Sequence, residues 1–294
     1  MRLGVIANRL VFVDGETAVD VEQASKGRFP ADPAQLFDHW DVLNDWAATA
    51  ELNGERLPLD RLQSPIPVPR QVFGIGANYR DHVEEAAKAQ GYEGEIPMPE
   101  KPMIFTKFWS SLSGPGDPVP VPTPGVDWEV ELVVVMGRRA ERVAEKDAWS
   151  HVAGLTVGQD ISERALQLAG FAPQFSLGKS FPGFGPMGPV LVTPDEFADP
   201  DDLEIGCSLN GQVMQQGRTS DLVFPVAELV AYISMVCPLL PGDVIFTGTP
   251  AGVGAFRKPP VFLKPGDTLV SWVKGIGELS NPVTAGHGYS DNNQ

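Results

Sequence analysis

Asp127-Trp128-Glu129-Val130-Glu131-Leu132-Val133-Val134-Val135 is the stretch on which the reading of this chain turns. Its run of valines and one tryptophan predicts a strand over 127–136. Side chains alternate faces along a strand. Glu129 and Glu131 therefore share a face with Val133 and Val135, while Trp128, Val130, Leu132 and Val134 fill the other. Both faces are apolar, so the strand is expected to be buried, with two parallel carboxylates at its mouth. Such carboxylates repel one another and lose hydration, and an uncompensated buried ion is costly. A hard divalent cation compensates best, because Mg²⁺ takes oxygen ligands and keeps waters that a substrate can displace. The plainer alternative is a strand end where both Glu side chains reach solvent or meet an Arg. Asp160 ends a second apolar strand, 152–159, and offers a third carboxylate. An Asp in that place also serves as a cap or turn residue.

Around this pair of strands the pattern stays mostly β. Residues 3–13 read as one strand, Asp14-Gly15 as a hairpin turn and 18–21 as the start of a second strand. Asp32-Pro33 looks like a cap and first-turn proline, followed by Leu36, Trp40, Leu43 and Ala47 at helical spacing. The proline-rich stretch 64–70 reads as a linker, which places a small N-terminal α/β domain at 1–66 and a larger domain at 67–294. In the second domain, 71–75 reads as a strand and 78–90 as a helix, with Asn78 and Asp81 as a capping box. Residues 203–209 alternate into an Asn210-Gly211 turn, and 224–236 reads as a helix. Pro-Gly-Asp occurs at 241–243 and 265–267, each time ahead of an apolar run that predicts a strand. The polar tail from Gly286 is expected to fray.

Composition excludes several classes. The 294 residues carry 22 Lys and Arg against 38 Asp and Glu, a formal net charge of −16. That surface repels nucleic acid and anionic membrane. Cys207 and Cys237 form no Cys-x-x-Cys, which argues against a zinc cage or disulfide framework and for core thiols in a reducing compartment. The N-terminus has no apolar core of signal-peptide type, and the longest apolar run, 230–240, is too short to span a bilayer. A cytoplasmic location is expected. Gly74-Ile-Gly76-Ala-Asn-Tyr79 places Tyr where a dinucleotide-binding turn needs its third Gly, and Gly178-Lys179-Ser180 lacks the upstream Gly of a P-loop.

Three further segments carry chemistry. His82 and Glu85 stand three apart on one face of the expected helix. A carboxylate beside an imidazole orients the ring and suits it to general base work, although surface i, i+3 pairs are common. Lys179 lies in a Gly/aromatic loop, 174–183, that can bind an anion or leave the Lys solvated. In Phe246-Thr247-Gly248-Thr249-Pro250-Ala251-Gly252 the glycines bring backbone N–H groups forward and Thr249 adds a hydroxyl, as an anion site or as a plain tight turn.

Together these segments resemble the fumarylacetoacetate hydrolase family. The matching order is Gly-x-Asn-Tyr-x-x-His-x-x-Glu at 76–85, Lys107 with Ser110-Ser111 and Gly114-Pro115, and Asp-Trp-Glu-x-Glu at 127–131. Gln-Asp-Ile-Ser-x-Arg-x-x-Gln at 159–167, Gly-Lys-Ser-Phe at 178–181, Asn210-Gly211 and the 241–254 motif complete it. The resemblance covers about residues 70–285 and implies an α+β, mostly β fold, a mixed β-roll preceded by the small N-terminal unit. It implies Glu129, Glu131 and Asp160 as ligands of Mg²⁺ or Mn²⁺, His82 and Glu85 as a water-activating dyad, and Lys179 as the catalytic-site lysine. Arg164 and Gln167 look like substrate or supporting contacts, and Thr249 like a ligand of the substrate carboxylate. A homodimer acting on a small oxo acid in aromatic compound catabolism is expected, with hydrolysis of the C–C bond of a 2,4-dioxo acid as the leading activity. Isomerisation of a hydroxydienedioate or decarboxylation of oxaloacetate on the same metal site is the alternative, and carboxylate binding without turnover is a third reading.

Overall fold

A computed structural model describes residues 1–287; most of the polar tail lies outside the described residues. The N-terminal strands β1 (Arg2–Ile6), β2 (Arg9–Asp14) and β3 (Thr17–Asp20) form an antiparallel meander, followed by helix α1 (Trp40–Ala47). The single strand expected over 3–13 is a hairpin. Ala7 and Asn8 both take positive φ, 50° and 59°, the conformation that a tight two-residue turn between twisted strands demands. Alanine gives no turn signal, so local pattern does not reveal the break. Asp32 does cap the Ala34 N–H, but the turn it starts is a 3₁₀ helix, Pro33–Asp38, set ahead of α1.

The remainder supplies β4 (Val72–Gly76), α2 (Arg80–Ala89), β5 (Met103–Thr106), β6 (Val119–Val121), β7 (Val130–Met136), β8 (Val152–Gln159) and β9 (Gly185–Val192). After these come β10 (Glu204–Leu209), β11 (Gln212–Arg218), α3 (Val226–Val236), β12 (Val244–Phe246), β13 (Thr268–Val273) and β14 (Gly277–Ala285). A 12-stranded mixed sheet runs through β3-β2-β1-β9-β8-β7-β12-β4-β5, and a 5-stranded sheet has the order β11-β10-β13-β14-β6. The chain is α+β and mostly β, with β7 and β8 at the centre of the roll.

The alternation in β7 sorts its side chains between two cores. Trp128, Val130, Leu132, Val134 and Met136 pack with β10, β13 and α3 residues such as Ile205, Val273 and Leu229. Val133 and Val135 face the other way, onto Leu3, Val5, Trp40, Leu191 and Phe246. That second core ties residues 1–66 to the rest, as does the pairing of β1 with β9. The proline-rich segment at 64–70 is packed rather than free: Ile66 is buried in the same core.

The helix at 78–90 starts later than the motif suggests, at Arg80, with Tyr79 at its cap position and no side-chain cap bond. Asn78 does not cap it. Its side chain is buried and binds the Phe224 and Thr247 carbonyls and the Phe224 N–H, so it pins the start of α2 to the loops before α3 and after β12. Cys207 and Cys237 are both free. Among the described residues no helix is long and apolar enough to cross a membrane.

Candidate active site

The strand expected from residue 127 is interrupted at its mouth. Val126–Asp127 pairs with Ser162–Glu163, β7 begins at Val130, and Trp128 and Glu129 lie between them. Their backbone donors find side chains instead of a neighbouring strand. Asp127 Oδ1 accepts from the Trp128 N–H, Gln159 Oε1 from Glu129 and Gln215 Oε1 from Val130. This local detour turns Glu129 toward Glu131 and Asp160, whose own N–H donates to the Glu129 carbonyl at 2.9 Å. The three carboxylates are buried and present oxygens that all lie within 4.8 Å of one another.

Their charges are compensated unequally. Glu129 accepts from Arg164 Nη1 at 2.6 Å and from Lys179 Nζ at 2.7 Å. Burial pushes its carboxyl up, but Lys179 and Arg164 outweigh that and hold it down at about 2. Asp160 meets Lys179 Nζ at 2.5 Å and Lys107 Nζ at 2.7 Å. Glu131 has no cation partner among the described residues; its carboxylate accepts from the Gly248 N–H at 2.7 Å. Burial, with Asp160 and Glu129 alongside, pushes the Glu131 carboxyl well above the usual carboxylate range. Four carboxylates here (Asp127, Glu129, Glu131, Asp160) meet three cations (Lys107, Lys179, Arg164). A divalent ion fits this donor set: three buried hard oxygens, one carboxylate without an ion-pair partner among the described residues, and Glu129 at a cavity wall.

The plainer alternative, in which both Glu side chains meet an Arg or solvent, holds for Glu129 in part, since it meets Arg164, and not for Glu131. Lys179 has all three ammonium hydrogens committed, to Glu129, Asp160 and Ser162 Oγ. Arg164 grips Asp127 Oδ2 through Nε at 2.9 Å and Nη2 at 2.7 Å, and also donates to Gln167 Oε1 at 2.9 Å. It braces Glu129 from behind while one edge borders the cavity. Thr249 lines the cavity too, but its hydroxyl donates to the Val130 carbonyl and accepts from Gln215 Nε2, both at 2.8 Å. That hydroxyl therefore holds the site's backbone and has no hydrogen left for a carboxylate.

The cavity has a volume of about 240 Å³ and brings Glu129, Lys179, Arg164, Gln167 and Thr249 together with His82. His82 Nδ1 faces Glu85 Oε2 at 3.4 Å, a long contact. Glu85 is anchored in turn by the Gly252 N–H, at 3.0 and 3.1 Å from its two oxygens, so the helix α2 and the loop after β12 hold the pair jointly. The Phe256 ring lies 5.9 Å from the imidazole. A broader cleft of about 680 Å³ lies between 32–38 and 66–70, and its walls hold none of the candidate site residues.

Sequence reasoning gave no role to Lys107, Asp127, Gln159 or Gln215. Lys107 is fully buried and donates to Asp160 and to the Lys179 and Phe184 carbonyls. Asp127 takes Arg164 and the Gly254 and Ala255 N–H groups. A signal was present for Lys107, Asp127 and Gln159, which lie in the motifs that carry the family resemblance.

Residues 71–284 match the model of the fumarylacetoacetate hydrolase C-terminal domain. The chain belongs to the fumarylacetoacetate hydrolase family. The human mitochondrial oxaloacetate tautomerase FAHD2A is 46% identical over 222 residues, 75% of this chain and 68% of that protein. A Mycobacterium smegmatis structure assigned to the HpcE type superposes with a TM-score of 0.89 at 52% identity, covering 97% of this chain and 99% of that one. Maleylpyruvate hydrolase from Sphingobium sp. SYK-6, solved with manganese(II) and pyruvate, gives a TM-score of 0.78 at 30% identity, covering 97% and 100%. The family's members are enzymes, and hydrolases, isomerases and tautomerases are all found among these relatives.

Proposed function

We propose that this member of the fumarylacetoacetate hydrolase family is a Mg²⁺- or Mn²⁺-dependent hydrolase that cleaves the C3–C4 bond of a 2,4-dioxo acid, giving a 2-oxo acid and a carboxylate. The observation that carries the reading is that His82, backed by Glu85, lines the same cavity as Glu129, the member of the Glu129–Glu131–Asp160 cluster that reaches its wall. An ion held by those three carboxylates would act as a Lewis acid toward the 2-oxo end of the substrate. The side chains do the rest. With Nδ1–H directed at Glu85, His82 keeps Nε2 as the acceptor and takes a proton from water. The water oxygen attacks C4, the C3–C4 electron pair passes to the 2-oxo acid fragment as its enolate, and C3 is protonated to finish. Lys179, at the cavity wall, would turn one of its hydrogens from its present partners to the C4 oxyanion. Arg164 and Gln167 orient Glu129 and border the substrate. Thr249 acts by holding Val130 and Gln215 in place. The same reading takes the enzyme to be a cytoplasmic homodimer serving aromatic compound catabolism.

The likeness to an oxaloacetate tautomerase supports a second reading, in which the same base moves a proton at C3 and no water attacks. One variant separates the two. His82→Ala is expected to cut acylpyruvate cleavage by about 10² or more, the usual worth of a positioned base. Wild-type failure to cleave any acylpyruvate, together with rapid oxaloacetate enol–keto interconversion that His82→Ala abolishes, puts the tautomerase first. Both activities should vanish with EDTA.

A further inference from the structure

We infer that the enzyme selects 2-oxo acids whose far end is an uncharged, apolar chain, and discriminates against those ending in a second carboxylate. The inference rests on the 2-oxo acid reading above and names the part of the substrate that reading leaves open. Besides its polar groups the cavity is walled by Ile75, Ala86, Met103, Leu168, Phe175 and Phe256. The Met103 side chain lies over Gly76, where the missing Cβ leaves room for it, and the Phe175 ring edge reaches the same spot. Phe175 is itself packed edge-on against Phe105, and Phe256 lies tilted against His82, so two aromatic rings flank this cavity with ring partners of their own. Met103 and Leu168 are 44% and 59% exposed, which puts apolar side chains at the opening itself.

What this wall lacks is a free cation. The Lys and Arg residues that line the cavity are Lys179 and Arg164. Lys179 directs its three hydrogens at Glu129, Asp160 and Ser162, and Arg164 directs four of its five at Asp127, Glu129 and Gln167. Both sit at the metal-ligand end. A distal carboxylate would therefore be desolvated against methyl, thioether and ring carbons, with Gln90 and the His82 imidazole beside Phe256 as the polar groups nearest to them. An alkyl or aryl tail would gain from the same surface.

The experiment is calorimetric binding in the presence of Mg²⁺, with unreactive probes of equal chain length. 2-Oxohexanoate is expected to bind at least about tenfold more tightly than 2-oxoadipate. Met103→Arg places a cation at the exposed end and should narrow that ratio by about tenfold or reverse it; Leu168→Arg repeats the change at the rim should the first variant fold poorly. Equal or tighter binding of 2-oxoadipate by the wild-type enzyme, while pyruvate still binds, overturns the inference and leaves the 2-oxo acid reading standing. If pyruvate does not bind either, the functional reading fails and the inference falls with it.

Discussion

Arg164 Nη1 donates to Glu129 Oε1 at 2.6 Å while Nε and Nη2 of the same guanidinium clasp Asp127. One rigid fork thus spans the break between the short strand at 126–127 and β7, and sets the angle at which Glu129 enters the carboxylate cluster. Lysine lacks both the reach and the planar fork for this task.

Arg164→Lys and Arg164→Gln should therefore weaken Mg²⁺ binding by about 10- to 100-fold, the usual effect of losing a residue that orients a metal ligand. Titration calorimetry checks this. Affinity within twofold of wild type in both variants would show that Glu129 is held without the fork.

Glu131→Gln should have opposite effects with and without the ion. Glu131 is buried with no ion-pair partner among the described residues, so the amide is expected to leave the ion-free melting temperature unchanged or higher. The rise on adding Mg²⁺ should shrink sharply, because at 100 times Kd a bound ligand stabilises the native state by about 2.7 kcal/mol. Melting curves in EDTA and in Mg²⁺ give both numbers. A variant that melts far below wild type in EDTA would make the residue structural.

Residues 78–92 are expected to open locally more readily without ligand than with it. Tyr79 is fully buried, but α2 itself has no buried residue, so few contacts beyond the Glu85–Gly252 bonds hold it down. Amide hydrogen exchange in α2 should slow when oxalate and Mg²⁺ are added. Identical exchange at saturation would rule out closure over the ligand.

Asp20 gives a pH test away from the site. It caps the Gln23 N–H and pairs with Arg9 at 2.6 Å. Burial pushes its carboxyl up, but Arg9 and the Gln23 amide outweigh it and hold it below its ordinary value of 3.8. A lowered folded-state value means stabilisation that is complete above the unfolded value and lost as pH falls through the folded one. Asp20→Ala should cost about 1 kcal/mol at pH 7, and the gap from wild type should begin to narrow below about pH 4. Denaturant melts at pH 7 and pH 3 measure it; a gap as wide at pH 3 as at pH 7 contradicts the assignment.

Much of the molecule was legible in local pattern. Period-two alternation in 130–136 sorted its side chains correctly between two cores, because a strand buried on both faces offers its residues no other choice. Asn210-Gly211 marked its hairpin, since both residues tolerate the positive φ they adopt. The types and order of the acidic residues pointed to a cation-binding cluster, and 129, 131 and 160 are indeed brought together. What tertiary structure alone decided is how each group is used. Asn78 looked like a helix cap and instead ties three loops together, and Thr249 looked like a ligand contact and is spent on Val130 and Gln215. Lys107 and Lys179 reach Asp160 from positions 53 and 19 residues away along the chain. A hydrogen bond depends on where donor and acceptor lie in space, and sequence spacing predicts that only within one helix, strand or turn. Between elements the partner is chosen by the packing of the sheets, which is why side-chain identity could be read early and side-chain commitment could not.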